Sequence, residues 1–267
     1  MSNNTVIAQV GLAERPRKSR LPARLDLLQS LSGLFLALFM WGHMFFVATI
    51  LVSEDLMWTV TKFFEGYYFF GQSYPWLVSV IVGIVALVFI IHAALAVRKF
   101  PINFRQLQVM RAHAKEMRHH DTSLWLVQVY TGFAMFFLAS AHLYQMFVWP
   151  ELIGPGFSGD RMWGAYLGFW FYPVLLLCVE LHGSIGLYRL AVKWCIPNMS
   201  REFLSKLEKA LLVFFLLLGA VTLIAYMKIG IHVKAGDFQK DYTPSSVMME
   251  HSKAAPTSMD GMLVKGE

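Results

Sequence analysis

Four histidines and one glutamate stand where ionisable side chains cost most. His43, His92, His142 and His182 interrupt four different apolar runs, in LFMWGHMFF, VFIIHAAL, FLASAHLYQ and VELHGSIGL. Glu180, two residues before His182, is the single carboxyl deep in such a run. Ionisable groups in a membrane interior mark functional sites by default. An imidazole placed there can ligate a metal, relay a proton or hydrogen-bond across helices.

Depth separates these uses. Counted at 1.5 Å per helical residue from the basic end of each run, His92 lies about 10 Å in and His182 about 16 Å, whereas His43 and His142 lie about 24–28 Å in. The four therefore form two layers of two. Two b-type haems, each iron taking an axial nitrogen from either face of the ring, need that arrangement, and facing helices of a bundle can supply it. Gly42, Gly132, Ala139, Ala141, Gly183 and Gly186 are small residues beside the candidate ligands that would admit a flat macrocycle.

Haem propionates need cations. Arg189 and Lys193 follow His182 by seven and eleven residues, within about 20° of its helical face, and Lys99 stands seven residues beyond His92. These cations suit propionates at the basic end, and they serve equally as ordinary anchors at the membrane surface. Glu180 and His182 differ by about 200° around a helix, so the carboxyl faces away from whatever His182 holds. A buried carboxyl in neutral form can pass protons, or it can simply hydrogen-bond a carbonyl. His113, His119 and His120 read as a solvated basic face; His232 and His251 carry no signal.

The elements that must position these groups are membrane helices. Of 267 residues, 57% are hydrophobic and 15% charged, against about a quarter charged in soluble domains. Apolar segments at roughly 31–52, 76–97, 124–149, 163–192 and 210–227 are each long enough to cross a hydrocarbon core of about 30 Å. Trp76, Trp125, Trp149, Trp163 and Trp194 lie near their ends, as an aromatic belt requires. The predicted fold is an all-α bundle of five transmembrane helices: a basic leader (1–24), a five-helix domain (25–232) and a polar tail (233–267) that reads as poorly ordered. The leader and the connections 2–3 and 4–5 hold five, six and five Lys or Arg, while the other two connections hold only Lys62 and Arg161. The positive-inside rule then places the N-terminus in the cytoplasm and, after five crossings, the C-terminus outside.

The first segment is not a signal peptide, because a long polar leader precedes it and no A-x-A site follows. Cys178 and Cys195 are too few for a disulfide framework and read as small packing residues; without C-x-x-C-H, any haem is held non-covalently. No phosphate loop, G-x-S-x-G or zinc signature occurs, and no connection is long enough for a soluble catalytic domain. Chemistry on a large polar substrate falls to a partner chain.

The strings LFMWGHMFFVATIL, RKFPINFRQ, HHDTSLW, TGFAMFFLASAHL and VELHGSIGLYRLAVKW closely resemble the dihaem cytochrome b anchor of bacterial menaquinol:fumarate reductases, within the succinate:quinone oxidoreductases. The resemblance is dense from about Lys18 to Trp194, fades through the fifth helix and is absent from the tail. It implies a three-subunit complex, in which a flavoprotein reduces fumarate, an iron–sulfur subunit wires it, and the anchor oxidises menaquinol; two such trimers usually pair. It implies axial ligands at His92 and His182 for the haem near the iron–sulfur subunit and at His43 and His142 for the outer one. It also implies that Glu65, in VTKFFEGYYFF, accepts protons from menaquinol; by its sequence alone Glu65 is an ordinary solvated loop carboxylate. Trp125, Gln29, Ser30 and Lys193 match positions near the inner propionates, Arg161 one near the outer haem, and Glu180 a residue moving protons across the membrane.

Three other readings stay open at this stage. One is the cytochrome b subunit of a hydrogenase or formate dehydrogenase, against which VELHGS speaks. Another is a haem-free proton-coupled transporter using the histidines and Glu180 as a relay. The last is a purely structural anchor, against which four intact ligand positions count.

Overall fold

The computed structural model describes residues 19–117, 120–195 and 199–248. Every regular element among them is helical. In chain order they are α1 (Leu21–Ala48, extended by a tight turn Thr49–Leu51), α2 (Glu54–Phe64), α3 (Tyr67–Phe70), α4 (Trp76–Val97), α5 (Phe104–Met117), α6 (His120–Val148), α7 (Pro155–Trp163), α8 (Phe171–Lys193) and α9 (Arg201–Ala235). Five of these, α1, α4, α6, α8 and α9, are long and apolar enough to cross a membrane.

Local signals set the boundaries. Ser53 caps α2 by accepting the Leu56 N–H at 3.0 Å, with Glu54 and Asp55 in the first turn. Ser200 caps α9 in the same way through Phe203, and Gly236, at φ 83°, ends it. The second span begins and ends where hydropathy places it. The other four differ, the third by beginning at His120 rather than near 124. The first begins at Leu21 rather than near 31, because its hydrogen-bonded ladder continues past the apolar core through Arg24 and Asp26. The fifth runs from Arg201 to Ala235 rather than 210–227 for the same reason. The fourth starts at Phe171, since the chain turns at Gly164–Tyr166, with Tyr166 at φ 55°, instead of continuing from Trp163.

The histidine-bearing helices close a ring: α1 packs on α4, α4 on α6, α6 on α8, and α8 back on α1. Helix α9, which carries none of the four, lies outside the ring against α8 and α1. Large apolar side chains such as Leu87, Ile90, Phe133, Phe137 and Ile224 face outward. In lipid such an exterior is no liability, and interhelical packing rather than burial from water orders the bundle. At the end away from the basic connections, α7 lies on α9 so closely that a Cβ on Gly230 would collide with the Gly159 carbonyl and the Trp163 side chain. A cluster of Ile50, Met57, Met162, Phe171, Tyr172, Tyr226 and Ile229 fills the same end. Of the two cysteines, Cys178 is buried and Cys195 is exposed at φ 48° past the end of α8, so only the first is a packing residue.

The segment after Gly236 is tied to this end through Met248. Lys240 reaches Asp160 at 2.6 Å and Lys234 reaches it at 3.1 Å. Tyr242 donates to Asp55 and stacks on Phe238, which packs into the core cluster. Burial, then the bond to Asp55, pushes the Tyr242 phenol up to about 12, so it remains a donor throughout the physiological range. Residues 249–267 and 1–18, with His251, Arg15, Arg17 and Lys18, lie outside the described residues.

Lys240 first, and then Lys234, hold the Asp160 carboxyl below the ordinary carboxylate range. A depressed carboxyl contributes stability above its unfolded pKa and loses it as pH falls through the folded value. Asp160→Asn is therefore expected to raise the rate of tryptic cleavage at Lys240 several-fold at neutral pH while leaving the five spans intact. An unchanged cleavage rate would show that Phe238 and Tyr242 suffice as the tether.

Candidate functional site

The ring of helices brings the four buried histidines together in pairs. His43 of α1 faces His142 of α6, ring centroids 6.2 Å apart and planes at 75°. His92 of α4 faces His182 of α8 at 6.4 Å and 87°. Two metal–nitrogen bonds of about 2.1 Å in line, with a ring half-width of about 1.1 Å at each end, come to roughly 6.4 Å. Each pair is therefore spaced to hold one metal between two imidazoles. Among the described residues no cluster of three or more His, Cys, Asp or Glu is present; a haem supplies four equatorial nitrogens of its own and takes axial imidazoles from the protein.

The local sequence aims the inner pair. His182 Nδ1–H donates to the Gln128 carbonyl at 3.0 Å, with Thr131 Oγ1 at 3.5 Å. The Ser32 hydroxyl spends its hydrogen on the Gln29 carbonyl at 3.1 Å, so His92 Nδ1–H donates to Ser32 Oγ, also at 3.1 Å. With Nδ1 protonated on both rings, the Nε2 lone pairs are left as ligands. Gly33 and Gly132 admit the rings: a Cβ on Gly33 would lie 2.8 Å from His92 Cε1, and one on Gly132 2.8 Å from His182 Cε1. A Cβ on Gly42 would meet nothing within 4 Å, which leaves open space beside His43. His142 packs edge-on against Tyr172 at 5.8 Å, and its Nδ1 is buried without a partner.

The two carboxyls differ. Glu180 is fully buried, and neither carboxyl oxygen has a hydrogen-bond partner. Ser184 Oγ, one turn on, and Trp41 Nε1 of α1 are also buried and unpaired. Trp41 stacks on Phe215 of α9 at 5.0 Å, so Glu180 faces the α1–α9 seam while His182 faces into the ring. Burying an unpaired charge is costly, so the neutral form of the carboxyl fits this place. Glu65, at the C-terminal end of α2, is 2% exposed and bonds Lys62 Nζ at 2.6 Å. It is not a solvated loop residue. Its backbone carbonyl accepts from Tyr74 and the next residue is Gly66 at φ 79°, where a Cβ would strike Leu77 and Phe70, so the turn itself turns the carboxylate inward.

The remaining candidates cluster at the two ends. Lys99 and Lys193 meet at Asp26, at 2.9 and 3.3 Å, with Arg98 at 3.9 Å. This junction of α4, α8 and α1 turns on an acid that the spacing of cations alone does not single out. Arg189 donates to the Gln128 side chain at 2.5 Å, the residue whose carbonyl also orients His182. Gln29 has a buried, unpaired Oε1; Ser30 bonds the Asp26 carbonyl; Trp125 is half-buried on α6. At the other end Arg161 bonds the Leu152 carbonyl at 2.7 Å and Ser158 at 3.2 Å, with its Nε buried and unpaired. His113 is exposed, and His232 lies 3.7 Å from Asp237 in the last turn of α9; His119 and the side chain of His120 lie outside the described residues. Sequence reasoning missed Ser32, Gln128, Thr131, Asp26 and Tyr172. Polar residues one helical face from a buried histidine were the available signal for the first three.

Residues 103–225 match the family described as succinate dehydrogenase/fumarate reductase transmembrane subunit. The chain is 51% identical over 226 residues to the fumarate reductase cytochrome b subunit of Helicobacter pylori, covering 84% of this chain and 88% of that protein. It is 49% identical over 238 residues to the subunit of the same name from Wolinella succinogenes, covering 86% and 92%. These matches extend well beyond the stretch from Lys18 to Trp194 in which the motifs are dense.

Proposed function

The chain belongs to the family of fumarate reductase cytochrome b subunits, and from that premise we propose that it is the dihaem anchor through which menaquinol oxidation feeds a fumarate reductase. It is a membrane subunit of that complex. The observation that carries the dihaem reading is the spacing of two separate imidazole pairs at 6.2 and 6.4 Å.

In this reading His92 and His182 hold the inner haem b, and His43 and His142 the outer one. Bound haem supplies one-electron redox chemistry at its iron. Ser32 and Gln128 keep the inner imidazoles in the ligating tautomer, and glycines 33 and 132 let the rings approach the backbone. Arg189, Lys99, Lys193, Gln29, Ser30 and Trp125 line the basic end, where the inner propionates lie; Arg161 serves the outer haem. Menaquinol gives up two electrons and two protons, and Glu65 accepts the protons one at a time, releasing the first before it takes the second. Glu180 carries protons across the membrane so that charge separation is offset. The electrons leave to an iron–sulfur subunit and then to a flavoprotein, where fumarate is reduced; this chain has no dicarboxylate site. The concentration of Lys and Arg in alternate connections supports a cytoplasmic N-terminus, a periplasmic C-terminus and a bacterial inner membrane. Two heterotrimers form the assembly.

The test is a haem count on the isolated complex by pyridine haemochrome, with a dithionite-reduced difference spectrum. Two haem b per chain are expected, both with low-spin bis-imidazole α-bands, and menaquinol analogues should reduce them. Absence of an α-band would instead support a haem-free relay of histidines and Glu180.

A further inference from the structure

A cleft of about 530 Å³ opens at the basic end between the short helix α5 and the start of the membrane helix α6. It lies apart from both histidine pairs. Its rim is basic and polar, from Arg111, Lys115 and Ser123; its floor is apolar, from Leu126, Val127 and Tyr130. The two cations make no ion pair or hydrogen bond among the described residues, and both are exposed. Glu116, the acid of the same helix, does not line the cleft.

The apolar floor does not stop at the cleft. Leu126, Tyr130, Phe133 and Phe137 follow one another at helical spacing down a single face of α6. Tyr130, Phe133 and Phe137 are 45%, 61% and 59% exposed. The third span begins at Asp121, so Ser123 sits at the membrane surface and Phe137 about 21 Å deeper. A ligand filling this site has an anionic head at the surface and a long apolar chain running inward. Helix α5 itself, with cations beside the exposed Phe104 and Val109 and with the exposed Ile102 just ahead of it, is suited to lie in the headgroup layer.

We propose that the α5–α6 cleft binds one anionic phospholipid, its phosphate held by Arg111, Lys115 and the Ser123 hydroxyl and its acyl chain laid along the Tyr130–Phe133–Phe137 stripe. Charge complementarity favours a lipid of net negative charge over a zwitterionic one, and the continuous apolar track favours a lipid over free phosphate.

Native mass spectrometry of the intact complex, exchanged in mild detergent against phosphatidylglycerol or phosphatidylcholine, tests this. The wild-type complex is expected to retain one phosphatidylglycerol per chain, to release phosphatidylcholine, and to keep its lipid in excess inorganic phosphate. R111Q/K115Q should weaken retention about tenfold or more, while R105Q, outside the cleft, should not. Leu126→Trp, which fills the floor and leaves the charges, should also displace the lipid. Equal retention of phosphatidylcholine, displacement by phosphate, or unchanged retention in R111Q/K115Q would each overturn the proposal. So would a double variant that sheds its partner subunits but keeps the lipid, since the cleft would then be a protein interface.

Discussion

If the wild-type complex holds the two haems b proposed for it, His182→Ala is expected to leave one per chain and to lower menaquinol-dependent fumarate reduction at least about 100-fold. The reasoning starts with the helix ring. Helices α6 and α8 pack closely, and the bond from His182 Nδ1 to the Gln128 carbonyl clamps the imidazole between them. Its Nε2 is thereby directed at His92, whose ring centre is 6.4 Å away. In the dihaem reading alanine would remove one of the two imidazoles that hold the inner haem, and it leaves the Gln128 carbonyl without its donor. The outer pair is untouched, because His43 and His142 belong to different turns and make their own contact at 6.2 Å. One of the two α-bands should therefore survive. Fumarate reduction from an artificial donor acting on the flavoprotein should persist, because in the proposed function the dicarboxylate is reduced on that partner subunit. If His182 were only a bond between helices, the variant would keep both haems and lose at most about 2 kcal/mol of bundle stability. Two haems in His182→Ala would thus remove the ligand assignment while leaving the fold intact.

What could be read from residue order alone follows from which quantities are constant. Helical rise is constant, so depth sorted the four histidines into the two pairs that the rings form. Hydropathy marks the hydrocarbon core, so Trp76–Val97, free of Asp, Glu, Lys and Arg from end to end, was legible to the residue. Where helices outrun the core the same signal fails: α1 begins with Arg24 and Asp26 inside its ladder, and α9 passes through the buried Glu208 before its apolar run. The turn at Gly164–Tyr166 was hidden because its residues are as apolar as a span, and only the positive φ at Tyr166 reveals the break. Convergence in space was least legible. Asp26 looks like a leader residue in sequence, yet Lys99 and Lys193, 73 and 167 positions away, close on it. Ser32 and Gln128 become supports for histidines only when α1 meets α4 and α6 meets α8.

Glu180→Gln should lower quinol-dependent turnover about 100-fold by a mechanism different from that of Glu65→Gln, and comparing the two separates their roles. Glutamine matches glutamate in shape. Trp41 Nε1 is the donor beside the Glu180 carboxyl, and a glutamine carbonyl can accept from it as the carboxyl would, so assembly and haem count should be normal. What the amide cannot do is take up and release a proton along the α1–α9 seam, where Trp41 and Ser184 offer the nearby polar groups. A positioned acid–base group contributes about 10²–10⁴-fold, and a loss at the lower end of that range is expected for each variant. Glu65 stands at the other position in the sequence of events. Its carboxylate is buried and neutralised by Lys62 at 2.6 Å, so Glu65→Gln leaves a lysine unpaired and, in the proposed function, removes the group that accepts the quinol's protons. In Glu65→Gln, menaquinol should fail to reduce the α-bands at all. In Glu180→Gln, the bands should still be reduced by menaquinol in the first turnover, but steady-state fumarate reduction should stall. Reconstituted in sealed vesicles, the residual turnover of Glu180→Gln should build a membrane potential that the wild-type complex does not. Undiminished turnover in Glu180→Gln would reduce Glu180 to a neutral packing residue, and identical failure of band reduction in both variants would place both carboxyls at quinol oxidation.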